Sequence, residues 1–391
     1  MAGVGMAKEL GQRELSDNDS PILVLNSGSS SLKFGIYRRG ATDEQPLLTG
    51  AAEGIGRNQG SLCIRSSDGT SLLQRDHIHE TQSDALAALA AEIRQHRDDT
   101  PVAVGHRVVH GGPKLSKHQL ITPQVLDQLR SAVHFAPLHI PQALSLIAAA
   151  QSIFPSAQQF ACFDDAFHQT IPEVASHLPL PQRYFDAGIR RYGFHGISYE
   201  SLVHHFGAKL PQRAIFAHLG NGSSLCALGN GKSIDTTMGL TPTGGILMGT
   251  RSGDLDPGVI VYLLRNEKLD ADQLEYLLNH QCGLFALSSG EGDVRALQER
   301  AGRDDAKASL ALDVFALSVR KTIGAYMALL GGADLLVFTG GIGEHSDRIR
   351  SASTKGLEVL GLTPDKIQVV ATQEEQQIAR HCRAMMTNDC A

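Results

Sequence analysis

The sequence has no surplus of positive charge. Its 35 Lys and Arg are outnumbered by 41 Asp and Glu, for a formal net charge of −6. That argues against a general electrostatic grip on nucleic acid or an anionic membrane. An anionic substrate would then need local cations, so individual Arg and Lys positions become informative. None of the six cysteines, at positions 63, 162, 226, 282, 382 and 390, forms a CxxC or a pairing rhythm. Cys162 and Cys226 lie in apolar strand-like runs, where a thiol behaves as a small hydrophobe. A reducing cytoplasm suits this usage. Residues 1–20 lack the apolar core of a signal peptide and read as a flexible tail. No run reaches membrane-spanning length. HExxH and zinc-ligand spacings are missing as well.

The length of 391 residues is too great for one core, so two domains are expected. The first ordered stretch sets the theme. Ile22 to Leu25 is a short apolar run suited to a buried strand. Asn26-Ser-Gly28-Ser29-Ser-Ser follows, then Lys33 and a second β-prone run, Phe34 to Tyr37. This reads as strand, tight turn, strand. A turn of Gly and Ser lets backbone N–H groups and hydroxyls point at one spot, as a phosphate cradle requires. An ordinary hairpin turn fits that stretch equally well. The pattern returns at 214–225, with Gly222-Ser-Ser224 in the place of Gly28-Ser-Ser30. Two such turns, each opening half of the chain, suggest a duplicated unit. Facing each other across a cleft, they would hold a polyphosphate.

Between the copies, β-like stretches near 47–55 and 61–65 precede a helix over 82–97, with Thr81 and Asp84 as its cap. The strand Val102 to Val109 carries Arg107, a charge that needs an anionic partner when buried. Thr122-Pro123 and Pro141 open helices. The strand ending at Phe163 delivers Asp164 and Asp165 to its C-terminal end, where α/β sheets bind ligands. Prolines thicken near 170, which sets the domain boundary at 168/169. The loop 233–257 holds too many glycines for regular structure, and a loop this long is functional or disordered. Its apolar content argues against disorder. Leu335 to Phe338 is a strand that feeds Gly340-Gly-Ile-Gly343 and a helix N-terminus, a nucleotide cradle.

Two motifs fall short. Cys226 to Ser233 nearly spells a P-loop but begins with Cys and precedes a strand-like run. The glycine turn at 340–343 lacks the third glycine of a dinucleotide fingerprint. His106 and His110 share a strand and read as core or hydrogen-bonding residues.

Taken together, Asn26 to Lys33, Gly105 to Gly112, Phe163 to His168, Tyr192 to Gly196, His218 to Gly222, the 233–257 loop and Phe338 to Glu344 resemble the acetate kinase family. The resemblance covers about 22–380, in order. It implies an α/β fold of two duplicated actin-like ATPase (ribonuclease H-like) domains around a nucleotide cleft. These would span 21–168 and 169–377, with 378–391 packing back on the first. It implies ATP and ADP as nucleotides, Mg2+ with Mn2+ as a substitute, acetate or another short-chain acid as substrate, a homodimer, and no nucleic-acid or membrane partner.

The resemblance also implies roles. Arg107 and Arg251 would bind acetate and the moving phosphoryl group, and His195 would donate to the same oxygens. Asp164 matches the position often described as an acid or base. Val109, Leu138, Phe194 and Pro242 would wall the methyl pocket. Ser29, Lys33, His218, Leu219, Gly220, Asn221 and Gly222 would meet the phosphates. Asp293, Val294, Arg295, Gly341, Ile342, Gly343, Glu344 and His345 would line the adenosine side. Asn26 and Glu374 would hold the metal.

The chain departs from the family pattern at Asp165 (usually Thr), Thr243-Gly244 (usually Leu-Glu), His345 (usually Asn) and Gln373 (usually Asn). The Thr243-Gly244 change could widen the acyl pocket. A propionate or butyrate kinase is therefore the near alternative, and a non-kinase nucleotide-binding relative the distant one.

Overall fold

In a computed structural model the described residues are 20–28, 30–96 and 100–388. All of the expected tail except Ser20 lies outside them, as does Ser29. Two sheets organise the chain. The first has eight strands: β1 (Ile22–Ser27), β2 (Ser31–Arg39), β3 (Glu44–Glu53), β4 (Ser61–Ser66), β5 (Ser71–Asp76), β6 (Ala103–Val108), β7 (Gln119–Leu120) and β8 (Gln158–Phe163). The second has five: β9 (Arg213–Leu219), β10 (Ser223–Gly229), β11 (Lys232–Thr236), β12 (Leu335–Thr339) and β13 (Ile367–Val369).

The strand orders reveal the duplication. The first sheet runs β5-β4-β3-β2-β1-β6-β8-β7 and the second β11-β10-β9-β12-β13. Within the first, β3-β2-β1-β6-β8 has the same plan as the whole second sheet. In each, the opening strand pairs antiparallel with the next strand and parallel with the one after the crossover. The hairpin turns and the crossover strands therefore occupy equivalent places in the two halves.

β1 reads as an unbroken apolar run because both of its faces are covered. Leu23 and Leu25 pack with Leu86, Leu89 and Ile93 of the helix Gln82–His96 and with Leu146 of the helix Ile140–Ile153. Ile22 and Val24 face the other way, onto Ile378, Ala379 and Cys382 of the last helix, Glu374–Asn388. That helix lies very close to β6: a Cβ on Gly105 would come within 2.6 Å of both Cys382 Sγ and Ile378 Cγ2. Glycine there is what permits the approach. The helix reaches the first sheet from its first residue, where Glu374 accepts from Asn26 of β1.

The local signals act as their chemistry dictates. Thr81 and Asp84 cap each other reciprocally, at 3.0 and 3.1 Å. Asp305 caps the helix Ala306–Leu330, which ends at left-handed Gly331. β5 escapes a pattern search because nearly all of its residues are exposed and no alternation marks it. Among the described residues, no helix is long and apolar enough to cross a membrane.

Candidate active site

Arg107 and Asp164 stand at the C-terminal ends of β6 and β8, which pair in parallel. Arg107, near the end of β6, is braced through its two terminal nitrogens, while its buried Nε has no partner among the described residues. Its Nη2 donates to Asp164 Oδ2 at 2.6 Å and its Nη1 to the Ser27 carbonyl at 3.1 Å. Burial opposes its charge, but Asp164 and then Glu374 outweigh burial and hold the guanidinium firmly protonated. The same Asp164 oxygen accepts the His195 backbone N–H at 3.0 Å. Asp164 is fully buried and its other oxygen, Oδ1, has no protein partner.

His195 takes a left-handed conformation, with φ 60°. Between two glycines, that strained turn fixes the ring direction. Nδ1 lies 2.9 Å from Ser224 Oγ, which lies 2.5 Å from the Tyr199 hydroxyl. The ring stacks on His218 with centroids 4.3 Å apart. Burial, then the charges of His218, Arg107 and Arg251, push its pKa well below that of a free histidine. With Tyr199 as donor to Ser224 and Ser224 as donor to Nδ1, the neutral ring would carry its proton on Nε2. A Cβ on Gly222 would sit 3.4 Å from that Nε2 and 3.2 Å from Arg251 Nη1. The second hairpin turn, His195 and Arg251 thus share one space.

Arg251 differs from Arg107. Its Nη1 donates to the Pro242 carbonyl at 3.2 Å. Among the described residues no carboxylate pairs with it. Burial, and then the like charge of Arg107, pull its pKa down to about 10. A half-buried cation without an anion is unfavourable unless a ligand supplies one.

Apolar walls stand nearby. Phe194 is buried with Tyr192, Met238 and Met248, and Val109 packs on that cluster. Pro242 is buried. Leu138 is 38% exposed. Next to it, His139 is held down to about 3, by burial and then by Arg251 and Arg107.

On the opposite side, Asn26 Nδ2 donates to Glu374 Oε2 and Glu375 Oε1, each at 2.8 Å. Burial works against the Glu374 carboxylate, but Arg107, His218 and Lys33 outweigh it and lower its pKa. Lys33 is exposed and pairs in register with Asn26. Glu374 and Glu375 present carboxylate oxygens here, while Asn26 Oδ1 is turned to Arg107 Nη1 at 3.5 Å. The carboxylate pair fits Mg2+, which takes one or two carboxylates and keeps its other positions for water and phosphate.

Several expected nucleotide contacts are engaged elsewhere. Leu219 and Val294 point into the core, so only their main chain is free to meet a ligand. Asp293 accepts from Ala296 N as a helix cap. Glu344 Oε1 accepts from Gly340 N and Thr372 N, at 3.0 and 3.2 Å, and ties the glycine turn to the segment before Glu374. Gly341, His345 and Arg295 are exposed, with Ile342 and Gly343 more covered beside them. Asn221 is exposed, and Gly220 N is turned inward to Gly222 O and Ser223 Oγ. His218 Nδ1 meets Ser198 Oγ at 2.8 Å.

Ser224, Tyr199, Ser198, His139 and Glu375 were not singled out from sequence. Only the Glu374-Glu375 pair carried a local signal. Asp165 Oδ2 lies 2.8 Å from His110 Nδ1, which also takes the Gly112 N–H at 2.9 Å; both side chains are fully buried and pack as a structural pair behind the site. His106 is likewise a core histidine, 2.8 Å from Gln159 Oε1.

Away from the cleft, His118, Glu200 and His381 cluster in the manner of metal ligands. However, Phe163 N–H donates to His118 Nδ1. That leaves the proton on Nε2, the nitrogen that faces Glu200, so His118 is tautomerically wrong for a metal there.

A family model described as the acetokinase family matches residues 21–387. An acetate kinase of Sulfurovum sp. (strain NBC37-1) is 40% identical over 94% of this chain and 93% of its own length. A propionate kinase of Yersinia enterocolitica is 38% identical over 92% of this chain and 95% of its own. The crystal structure of Porphyromonas gingivalis acetate kinase superposes with a TM-score of 0.82 at 32% identity, over 94% of this chain and 100% of that one.

Proposed function

The chain belongs to the acetokinase family, and from that premise we propose that it transfers the γ-phosphoryl group of ATP to acetate, reversibly, giving acetyl phosphate and ADP. The observation that carries this reading is Arg251, a half-buried guanidinium with no carboxylate partner among the described residues, under the like charge of Arg107. A carboxylate and a phosphoryl group are the ligands such a pair neutralises.

Phosphoryl transfer needs charge neutralisation and in-line placement more than covalent help. Arg251 binds the acid and follows the moving phosphoryl oxygens. Arg107 holds the opposite edge. Neutral His195 donates from Nε2 to the equatorial oxygens, where charge accumulates in the transition state. Val109, Phe194, Leu138 and Pro242 enclose the methyl group. Acetate has a pKa near that of a Glu side chain, about 4.3, so the nucleophile is already an anion at neutral pH. No general base is needed. Asp164 acts by fixing Arg107 and the His195 main chain. Glu374 and Glu375, with Asn26 beside them, would hold Mg2+, which supplies charge neutralisation at the nucleotide phosphates.

We further propose a homodimer. The helices Pro257–Asn266 and Ala271–His280 bury none of their residues and expose Val259, Val261, Tyr262, Leu264 and Tyr276. Exposed apolar side chains on two consecutive helices favour a second copy. The five described cysteines are free, in keeping with a reducing cytoplasm.

The test is hydroxamate trapping of the acyl phosphate with ATP, magnesium and acetate, comparing wild type with Arg251→Ala. Wild type should accumulate acetyl hydroxamate and the variant should not. ATP hydrolysis indifferent to acetate would overturn the reading. Acetate is the preferred acid; a higher kcat/KM for propionate would assign the near alternative, since one methylene changes discrimination by about 1–3 kcal/mol.

A further inference from the structure

The loop that carries Arg251 is held at two points by one residue outside it. Asn279, in the last turn of the helix Ala271–His280, accepts at Oδ1 from the Thr243 hydroxyl at 2.6 Å. Its backbone carbonyl accepts from the Thr250 hydroxyl at 2.8 Å. Thr243 follows Pro242, whose carbonyl receives Arg251 Nη1, and Thr250 precedes Arg251. One helix end therefore grips both the arm that walls the acyl pocket and the arm that carries the guanidinium.

The neighbouring backbone reinforces the second arm. Ser252 N donates to Leu278 O at 3.1 Å and Cys282 N to Thr250 O at 3.0 Å. Loop closure between Asp254 and Gly245 lies beyond Thr243. For the Pro242 arm, the Thr243–Asn279 bond is the side-chain tether to this helix. Asn279 is oriented for it, because its Nδ2 donates back to the Glu275 carbonyl at 2.9 Å and so presents Oδ1 to the hydroxyl.

Resting on the functional reading above, we infer that Thr243 and Asn279 are positioning residues that set the separation of Pro242 from Arg251, and with it acid affinity and chain-length preference. The hydroxyl at 243 is where this chain departs from the family pattern. The Pro242 carbonyl is a fixed acceptor for Nη1. If the arm swings outward, the guanidinium loses that acceptor and the pocket opens toward longer acids.

Hydroxamate kinetics with acetate, propionate and butyrate test this on the full-length enzyme. Thr243→Val removes the donor at nearly constant volume, and Asn279→Ala removes the acceptor. Each should raise the KM for acetate about fivefold, the usual effect of one lost hydrogen bond, while the KM for ATP stays within about twofold. The propionate-to-acetate ratio of kcat/KM should rise in both. Thr243→Ser and Asn279→Asp, which restore donor and acceptor, should recover most of the affinity. The double variant Thr243→Val/Asn279→Ala should be no worse than the poorer single one. Should Asn279→Ala fail to fold, Thr243→Val decides alone, since it replaces one loop hydroxyl by one methyl. Unchanged acetate KM and acid profile in Thr243→Val, with active wild type, overturns the inference. A wild type that makes no acyl phosphate from any acid removes the functional reading, and this inference with it.

Discussion

Arg107 and Arg251 carry the same group into the same space from different halves, yet their surroundings are opposite. Arg107 is enclosed by Asp164, the Ser27 carbonyl and the influence of Glu374. Arg251 has a single carbonyl acceptor at Pro242 and lies under the repulsion of Arg107. The first is part of the frame. The second is a cation kept waiting for an anion. Two arginines in one cleft can thus differ in what they do for folding and what they do for ligand.

The largest effect should come from separating those roles by mutation. Arg107→Ala leaves Asp164 buried and unpaired, and should cost about 3–5 kcal/mol of stability, read as a lower denaturation midpoint, along with activity. Arg251→Ala should lose about 10²–10³ in kcat/KM, with a denaturation midpoint equal to wild type or higher. Equal destabilisation by the two changes would erase the contrast. Inorganic phosphate should raise the Tm of wild type and have little effect on Arg251→Ala, because only a ligand that binds the folded state stabilises it. Asp164→Asn keeps an oxygen for Arg107 and the His195 N–H. It should lower kcat less than tenfold, about 1.4 kcal/mol; a loss near that of Arg251→Ala would mean that proton transfer at Asp164 matters after all.

The smallest effect concerns pH. Burial holds His106 at about 4 against an ordinary 6.5, and it lowers His195 and His218 as well. Below pH 6.5 the unfolded chain binds protons that the folded chain refuses, so stability is full above 6.5 and declines as pH falls toward 4. Melting curves from pH 8 to 5 should show Tm falling from about 6.5 downward. His106→Asn should flatten that decline on the first-half side. A flat profile in wild type would mean these rings charge without penalty.

The legible features were local ones. The Gly-Ser turns, the cap at Thr81-Asp84 and the strand ahead of Gly340 depend on neighbours in sequence. Arg107 also announced its need for an anion. That the anion is Asp164 depends on the parallel register of β6 and β8, where Val108 pairs with Phe163, and no local pattern encodes this. The Tyr199–Ser224–His195 relay, His139 above the two guanidinium groups and Asn279 behind the loop are all long-range meetings. Val294 and Leu219, which the resemblance implies as ligand contacts, turn their side chains to the core by helix phase and strand alternation, which leaves that role to their main chain.

The last helix has a consequence for synthesis. Ile22, Val24 and Cys162 are covered by Ile378, Ala379 and Cys382, which are synthesised well after the sheet they cover. Until then the opening sheet has one dry face and one wet one, and chains that stop short would keep an adhesive apolar surface. Glu374 heads the same helix, so the carboxylate that meets Asn26 arrives with the segment that seals the first sheet. The carboxylate side of the cleft and the burial of that surface therefore wait on the same helix.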